Sequence, residues 1–594
     1  MNSEAAARPD FFKSTVLGHP AGLFVLFFTE MWERFSFYGM RVLLVNFLTM
    51  AIVGVDNPGW GWSAENAGAL FGTYAGLLYL TPIAGGIIAD KLVGYRWAVV
   101  IGAAIMTLGH ASMALETELS LYLGLGLLVI GTGFFKPNIT SIISEMYEGK
   151  PDKKDGAYTI FYMGVNAGAF FGMMLCGYLA EKIGWSWGFG LAGIFMFLGT
   201  LQFWLAKPLF GNVGGVPKKT GKEEDVTENE KHELVKDKHN PFTLLDKILI
   251  LITSVIGFLY LINDPTSRIA DLNLLPTVMP FDFQGQPVDG PLGMVIIGLI
   301  LFLVLVISRI SRYTKVVRDR LIAVIIFAFF TVFFWMSFEQ GASSLILFAR
   351  DYVDRELIGT SAIFFNVINT LLTVVPLMII TWVLYLLWKQ TSLKALGSNI
   401  VLVICFAGVW GIVLWMLYRE FSADTTEITV SWFSILNSFF IIVFASLFSK
   451  WWESKYNPSA AMKYSIGLIL LGFGFGLLAF GSNDLVAGAK VSMIWLILAY
   501  LFHTLGELCL SPLGLSYVSK LVPARMIAFM FGMWYLAIAI GNKLAGSFGG
   551  MITEITEKYD LSTFFLIFTI IPVAAGIVVA LLNPLMKKLM HGIR

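Results

Sequence analysis

Four ionisable residues lie close together in one apolar stretch of the chain: Glu30, Glu33, Arg34 and Arg41. In a helix, these positions fall within an arc of about 100°, so the four side chains share one stripe. A charge at the centre of a bilayer costs about 2.5–3.5 kcal/mol on insertion scales, and such residues usually face a polar cavity or a charged partner. A salt-bridge network that only fixes helix packing is the alternative, but four ionisable groups exceed what packing needs. We therefore expect the stripe to face a functional site.

Further polar residues lie deep in other apolar stretches, and their charges differ between the two halves of the chain. They are Lys136 and Asn166 in the first half, and Glu339, Asn437 and Glu507 in the second. Cations suit a carboxylate, whereas carboxylates and amides suit an ammonium group. A cavity with opposite charges at its two ends favours a zwitterion. Apolar surroundings favour the neutral form of a glutamate, so the glutamates are also candidate proton carriers.

A metal site and an enzyme active site receive little support from the sequence. His503, Glu507 and Ser511 are spaced four residues apart and are expected on one helix face. A histidine and a glutamate one turn apart could ligate a metal, but no HExxH motif or cysteine cluster accompanies them. His110 is interpreted as a hydrogen-bonded packing residue. No nucleophile–base pair is recognisable, so we predict neither a metal nor an enzyme.

The composition is that of an integral membrane protein. Hydrophobic residues make up 57% of the chain and charged residues 14%, and the mean hydropathy is +0.76. A soluble domain carries about 25% charged residues. The net charge of +1 gives no indication of nucleic-acid binding. No GxxxxGK[ST] motif is present, so the sequence predicts transport driven by an ion gradient, without a cofactor.

Sixteen stretches are long and apolar enough to form membrane-spanning helices, which need about 20 residues each. They lie near 21–53, 64–89, 96–114, 119–146, 157–181, 186–206, 243–263, 292–311, 320–349, 362–388, 398–418, 430–450, 463–481, 491–519, 526–551 and 562–586. Most Lys and Arg fall in loops on the side of the N-terminus, which places both termini in the cytoplasm. The outer segment 264–291 carries five prolines and is predicted to be an irregular loop. We expect a multi-pass protein of the cell (inner) membrane, in contact with lipid.

Six short motifs on six different predicted helices resemble those of proton-dependent oligopeptide transporters. They are 30–39 (EMWERFSFYG), 131–138 (GTGFFKPN), 161–170 (FYMGVNAGAF), 334–340 (FWMSFEQ), 431–437 (SWFSILN) and 506–512 (GELCLSP). The segment 85–96 (GGIIADKLVGYR) in addition resembles the loop signature of the major facilitator superfamily. Phe37, where many relatives carry Tyr, departs from the pattern and removes a hydroxyl from the expected peptide site.

The resemblance implies an all-α major facilitator fold, with two six-helix bundles and extra transmembrane helix pairs. The N-terminal bundle would span 1–206 and a charged cytoplasmic linker 207–242. An extra helix pair would follow at 243–311. The C-terminal bundle would occupy 320–588, with an inserted pair at 362–418 that departs from the usual family pattern. Because 362–418 lacks deep charges, we expect it outside the transport path.

The resemblance also implies roles for particular residues in proton-coupled symport of di- and tripeptides. Glu30, Glu33, Arg34 and Glu339 would handle protons and gating salt bridges. The substrate would be held by Tyr38, Arg41, Tyr79, Lys136, Asn166, Trp335, Asn437, Glu507, Ser511 and Trp534. Among these, Arg41 and Lys136 would hold the peptide carboxylate, whereas Asn166, Asn437 and Glu507 would hold its amino terminus. The aromatic residues would line side-chain pockets.

Three other readings of the function stay open. A relative on the same fold could move nitrate or another small metabolite in place of peptides. The intact Glu30, Glu33, Arg34 and Glu507 favour peptides, because Glu507 would otherwise lack an ammonium to bind. A membrane enzyme and a sensor or scaffold without flux are the remaining alternatives.

Overall fold

In a computed structural model, the chain is described over residues 11–216, 240–276, 281–283, 286–288, 292–483, 485, 488–510, 514–522 and 527–593, and is almost entirely helical. Sixteen helices of at least 18 residues occur in these described ranges, and we number them α1 to α16. They are α1 Ala21–Thr49, α2 Ala64–Ile88, α3 Tyr95–Met113, α4 Glu118–Met146, α5 Lys154–Lys182, α6 Trp185–Leu205, α7 Leu244–Ile269, α8 Leu292–Ser311, α9 Lys315–Phe338, α10 Thr360–Thr391, α11 Leu396–Ser422, α12 Val430–Glu453, α13 Ala460–Gly481, α14 Met493–Leu510, α15 Ile527–Gly550 and α16 Leu561–Leu581. Thirteen of them meet a length and hydropathy criterion for crossing a membrane. The other three are α1, α3 and α15, of which α1 carries the four charges of the stripe.

Short helices and small strand pairs complete the described structure. The short α-helices are Ser344–Asp351, Gly514–Leu521, Ile552–Lys558 and Asn583–Leu589. The strands pair in twos: Thr15–Val16 with His19–Pro20, Phe281–Phe283 with Gln286–Val288, Val353–Asp354 with Val491–Ser492, and Glu356–Ile358 with Thr425–Glu427. The pair of Val353–Asp354 with Val491–Ser492 is parallel and the other three are antiparallel.

The all-α fold predicted from the sequence is confirmed. Helices α1 to α6 pack on one another as one bundle, and α9 with α12 to α16 form the second bundle. Helices α7 and α8 form one extra pair, and α10 and α11 form another. Most of the predicted linker 207–242 lies outside the described residues.

Two predicted spans prove to be interrupted. The stretch 320–349 breaks at a 3-10 turn, Glu339–Ala342, before the helix Ser344–Asp351. Within the predicted span 491–519, the structure describes helix over Met493–Leu510 and from Gly514 onward, and 511–513 lie outside the described residues. The last span ends at Leu581, and Asn583–Leu589 starts afresh. Hydropathy averages over a window, so it does not register a break of a few residues.

The prediction of an irregular loop over 264–291 is wrong in part. Helix α7 continues to Ile269 and contains Pro265. Beyond it, Phe281–Phe283 pairs with Gln286–Val288 as a short hairpin. A proline inside a transmembrane helix is tolerated when neighbouring groups satisfy the freed backbone.

The two bundles meet on the side of the membrane where α1 ends, which we call the far side; α1 begins on the near side. At the far end of α1, Arg350 donates to Thr49 Oγ1 at 2.8 Å. At the far end of α5, the Glu181 carboxylate accepts hydrogen bonds from the backbone N–H groups of Val430 and Ser431, at 2.8 and 3.0 Å. The first turn of α12 is thereby capped by a residue of the other bundle. These contacts hold the far side closed.

The cleft between the bundles opens toward the near side. Asn166 on α5 is buried, whereas Tyr162, one turn nearer to the near side, is 47% exposed. Tyr162 also lies near Tyr38 on α1 and Glu507 on α14. The part of α5 that borders the cleft is therefore exposed toward the near side, whereas the far side is closed.

Candidate functional site

The charged stripe of α1 forms a compact triad on the wall of the N-terminal bundle. Arg34 Nε lies 2.9 Å from Glu30 Oε1 and 2.5 Å from Glu33 Oε2, and none of the three side chains is more than 6% exposed. Among the described residues, none offers a well-aligned hydrogen-bond donor to Oε2 of Glu30 or to either carboxylate oxygen of Glu33. One guanidinium is therefore shared by two buried carboxylates.

Arg41, two turns further along α1, pairs with a residue of the other bundle. Its guanidinium contacts the carboxylate of Glu339, at the break that follows α9. The rings of Tyr38 and Phe71 lie beside the guanidinium, each with its centre 5.8 Å from Arg41 Cζ. The four charges of the stripe thus divide into a triad within one bundle and an ion pair between bundles.

Lys136 comes from α4, where Pro137 follows it inside the helix. Its ammonium lies 4.8 Å from the ring centre of Tyr79. Glu30 and Glu33 also interact electrostatically with Lys136. Lys136 as a whole is only partly buried.

The opposite wall carries the acidic group. Asn437 Nδ2 donates to Glu507 Oε2 at 2.8 Å and to Thr504 Oγ1 at 3.1 Å. Glu507 keeps partial exposure. On the N-terminal side, Asn166 Nδ2 donates to the carbonyl oxygen of Tyr162 on its own helix, at 3.0 Å. These contacts fix the orientation of both amides beside the cleft.

Aromatic rings lie between the two charged walls. The rings of Tyr79 and Trp335, one from each bundle, have centres 6.4 Å apart. Tyr535 stacks with Tyr79 at 6.5 Å. Trp534 instead packs near Gly514, where an added Cβ would lie 2.6 Å from its ring. The residue that faces Tyr79 is therefore Tyr535, the neighbour of Trp534, which was predicted to line the site.

Two cleft residues, Tyr162 and Tyr535, were not singled out from the sequence. Tyr162 lies within the quoted motif 161–170, which could have identified it. Tyr535 has no comparable signal, because adjacent aromatic residues on a helix face differ by 100° and the sequence does not set the rotation of α15. The predicted substrate residue Ser511 lies outside the described residues.

The histidines face away from the charged cleft. The His503 ring centre lies 4.3 Å from that of Phe475, whereas Glu507, one turn later, bonds Asn437. The two residues lie one turn apart on α14, as expected from their spacing, but their side chains contact different helices. His110 is buried against α6, and its Nδ1 has no hydrogen-bond partner in the part of the chain that the structure describes. Over the described ranges, no group of three or more His, Cys, Asp or Glu is arranged to hold a metal.

The two charged walls act on a common space. Tyr38 lies near Arg34 and Arg41 on its own helix and near Glu507 across the cleft. Cations from α1 and α4 therefore face a carboxylate from α14, with aromatic side chains between them. This arrangement complements a small molecule with a carboxylate at one end and an amine at the other.

Comparison with known proteins identifies relatives of matching length. The model of the POT family matches residues 96–226 and 412–567. The peptide transporter YePEPT of Yersinia enterocolitica is 29% identical over 589 residues, covering 97% of this chain and 96% of its own. A di-/tripeptide transporter of Lactococcus lactis subsp. cremoris is 26% identical over 594 residues, covering 98% of this chain and 99% of its own.

Solved structures match over the whole chain as well. A crystal structure of the peptide transporter POT, a Glu-to-Gln mutant in complex with alafosfalin, superposes with a TM-score of 0.69 at 28% identity. It covers 98% of both chains. A POT family transporter in complex with 5-aminolevulinic acid gives a TM-score of 0.68 at 25% identity, covering 97% of this chain and 98% of the other. With the family model, the full-length relatives and the shared fold in agreement, the chain belongs to the POT family of transporters.

Proposed function

We propose that the protein carries di- and tripeptides across the membrane together with protons. The observation that carries this proposal is the division of charge across one cleft, with Arg41 and Lys136 on one wall and Glu507 on the other. A short peptide has a carboxylate and an ammonium at opposite ends, which matches that division. Relatives named as di-/tripeptide transporters support the substrate class.

In this proposal Lys136 and Arg41 hold the peptide carboxylate, and Glu507 with Asn437 holds the amino terminus. Arg41 is paired with Glu339 in the present conformation. A bound carboxylate would compete with Glu339 for the guanidinium and weaken the link between α1 and α9. Substrate binding on the N-terminal wall would thereby be coupled to movement of the two bundles.

Proton coupling is assigned to Glu30, Glu33, Arg34 and Glu339. Arg34 can neutralise only one carboxylate fully, and two adjacent buried acids resist double ionisation. One proton therefore binds readily within the triad. The energy for uptake comes from the proton gradient, and we propose no cofactor and no enzymatic step.

The position in the cell follows from the same proposal. We place the protein in the inner membrane, surrounded by lipid, with both termini in the cytoplasm, so that the near side is cytoplasmic. The conformation described above then faces the cytoplasm and is the one that releases substrate.

A small amino acid-like metabolite is the second candidate substrate. A POT family transporter was solved with 5-aminolevulinic acid, which also carries an amine and a carboxylate. The charge division fits both ligands, whereas nitrate offers no group to Glu507. Titration calorimetry on the purified protein separates the three with dialanine, 5-aminolevulinic acid and nitrate.

Blocked peptides test the binding mode in the same assay. Each charge-assisted contact contributes about 1.5–3 kcal/mol, so N-acetylated dialanine and dialanine amide should each bind at least about tenfold more weakly than dialanine. Equal binding by a doubly blocked dialanine would rule out recognition of both termini.

A further inference from the structure

Helix α7, the first of the extra pair, lies against both bundles at the far side. Thr73 Oγ1 on α2 donates to the carbonyl oxygen of Leu261 at 2.6 Å. One turn further along α7, the carboxylate of Asp264 contacts the ammonium of Lys543 on α15. Because α2 belongs to the N-terminal bundle and α15 to the C-terminal bundle, α7 is bonded to both at one level.

Lys543 is the centre of this contact. Its ammonium donates to Thr73 Oγ1 at 2.9 Å and to the carbonyl oxygen of Ala69 at 3.2 Å, in addition to Asp264. The side chain is 4% exposed. The two acceptors from α2 are neutral, so the charge of Lys543 is balanced by Asp264 of α7. A buried ammonium that loses its counter-charge is strongly disfavoured.

The helices that Lys543 joins pack at very short range. A Cβ added at Gly72 of α2 would lie 2.7 Å from the carbonyl oxygen of Lys543. Gly68 and Gly72 face Gly546 of α15 with backbone against backbone. Small residues allow such an approach between transmembrane helices. This α2–α15 seam must part when the far side opens.

We infer that α7 acts as an electrostatic brace, meaning that Asp264 of α7 neutralises the ammonium of Lys543 where α2 and α15 pack together. This ion pair favours the far-side-closed state. The inference rests on the proposed transport function, in which the cleft opens alternately to the near side and to the far side. It assigns a role to the extra helix pair, which contributes none of the cleft residues described above. When the seam opens, Lys543 withdraws from Thr73 and Ala69, and the bonds of α7 to the two bundles cannot all persist.

The test measures the conformation of the purified full-length protein in nanodiscs, without substrate. Spin labels are attached at Asp56→Cys and Glu557→Cys, which are exposed far-side positions, one in each bundle. The distance between the labels, measured by pulsed electron–electron double resonance, reports the opening of the far side. The native cysteines are buried and are replaced by alanine. Asp264→Asn removes the charge with little change of shape. We expect the ratio of far-side-open to far-side-closed molecules to rise about tenfold.

Two further variants make the result specific. Arg268 bonds the same carboxylate at 2.9 Å but is 48% exposed, so Arg268→Gln should leave the distance distribution unchanged. Lys543→Met removes the buried cation, and Asp264→Asn added to it should produce no further opening. An Asp264→Asn protein that is folded and monodisperse but retains the wild-type distances would overturn the brace.

Because no substrate is present, this outcome is independent of whether the protein carries peptides. Failure of peptide binding in calorimetry would refute the proposed substrate and leave the distance measurement intact.

Discussion

The shared guanidinium of Arg34 leads to a quantitative prediction about coupling. Arg34 lies within ion-pair distance of Glu30 and Glu33, and neither carboxylate is exposed enough for water to replace it. Glu33→Gln removes one titratable group while it preserves size and hydrogen-bonding capacity. Arg34 then keeps Glu30 as its single partner at 2.9 Å. Because one cation now neutralises one carboxylate, Glu30 should no longer bind a proton readily.

The magnitude follows from the driving force. One proton that crosses 100 mV supplies about 2.3 kcal/mol, enough for roughly 50-fold accumulation of peptide. We expect the accumulation ratio of Glu33→Gln to fall from that range toward one. Peptide counterflow, which is driven by the peptide gradient alone, should be at least partly retained. Glu30→Gln should behave alike.

The assay is paired, with driven uptake and counterflow measured in the same proteoliposomes for each variant. Glu427→Gln is the matched control, because Glu427 also forms an ion pair, with Lys182 at 3.0 Å, but its side chain is 46% exposed. It should accumulate peptide as wild type does. If both triad variants concentrate peptide as well as wild type, these glutamates are structural and Glu339 is the next candidate for the proton site.

Three further predictions concern the cleft and the inserted pair. Glu507→Gln should weaken dialanine binding at least about tenfold in calorimetry but leave the binding of N-acetylated dialanine unchanged, because only dialanine presents an ammonium. An equal loss of affinity for both ligands would show a structural role. Glu339→Gln leaves Arg41 without its counter-ion and should increase the reactivity of far-side cysteine probes; unchanged reactivity would contradict a gating role. Deletion of 360–422 should preserve dialanine affinity within about threefold, because lipid can replace the apolar contacts of α10 and α11; a folded deletion variant that no longer binds would place the pair in the transport path.

The local parts of the site could be predicted from sequence because helical periodicity fixes them. The stripe of Glu30, Glu33 and Arg34 follows from spacing alone, and the structure places these side chains together as a triad. The partner of Arg41 did not follow, because Glu339 belongs to another helix whose depth and break are set by tertiary packing. The rotation of α15 is likewise a packing property, which is why Tyr535 faces Tyr79 and Trp534 packs near Gly514.

The two extra helix pairs, α7–α8 and α10–α11, likewise show that local sequence patterns do not predict contacts between helices. Hydropathy was sufficient to predict both pairs as spans, since length and composition are local. It could not place Asp264 beside Lys543, which depends on how α7 docks between two bundles. The pair α10–α11 was expected outside the transport path, and its Phe406 packs against Trp32 and Phe28 of α1. That apolar face of α1 is distinct from the stripe that carries the triad.

The coupling of peptide accumulation to the proton gradient can be tested in a single assay. Purified protein is reconstituted into liposomes, a proton gradient is imposed, and the uptake of labelled dialanine is followed with and without a protonophore. We expect dialanine to accumulate above its external concentration and this accumulation to collapse when the protonophore is added. Uptake that only equilibrates, or that is indifferent to the gradient, would contradict it.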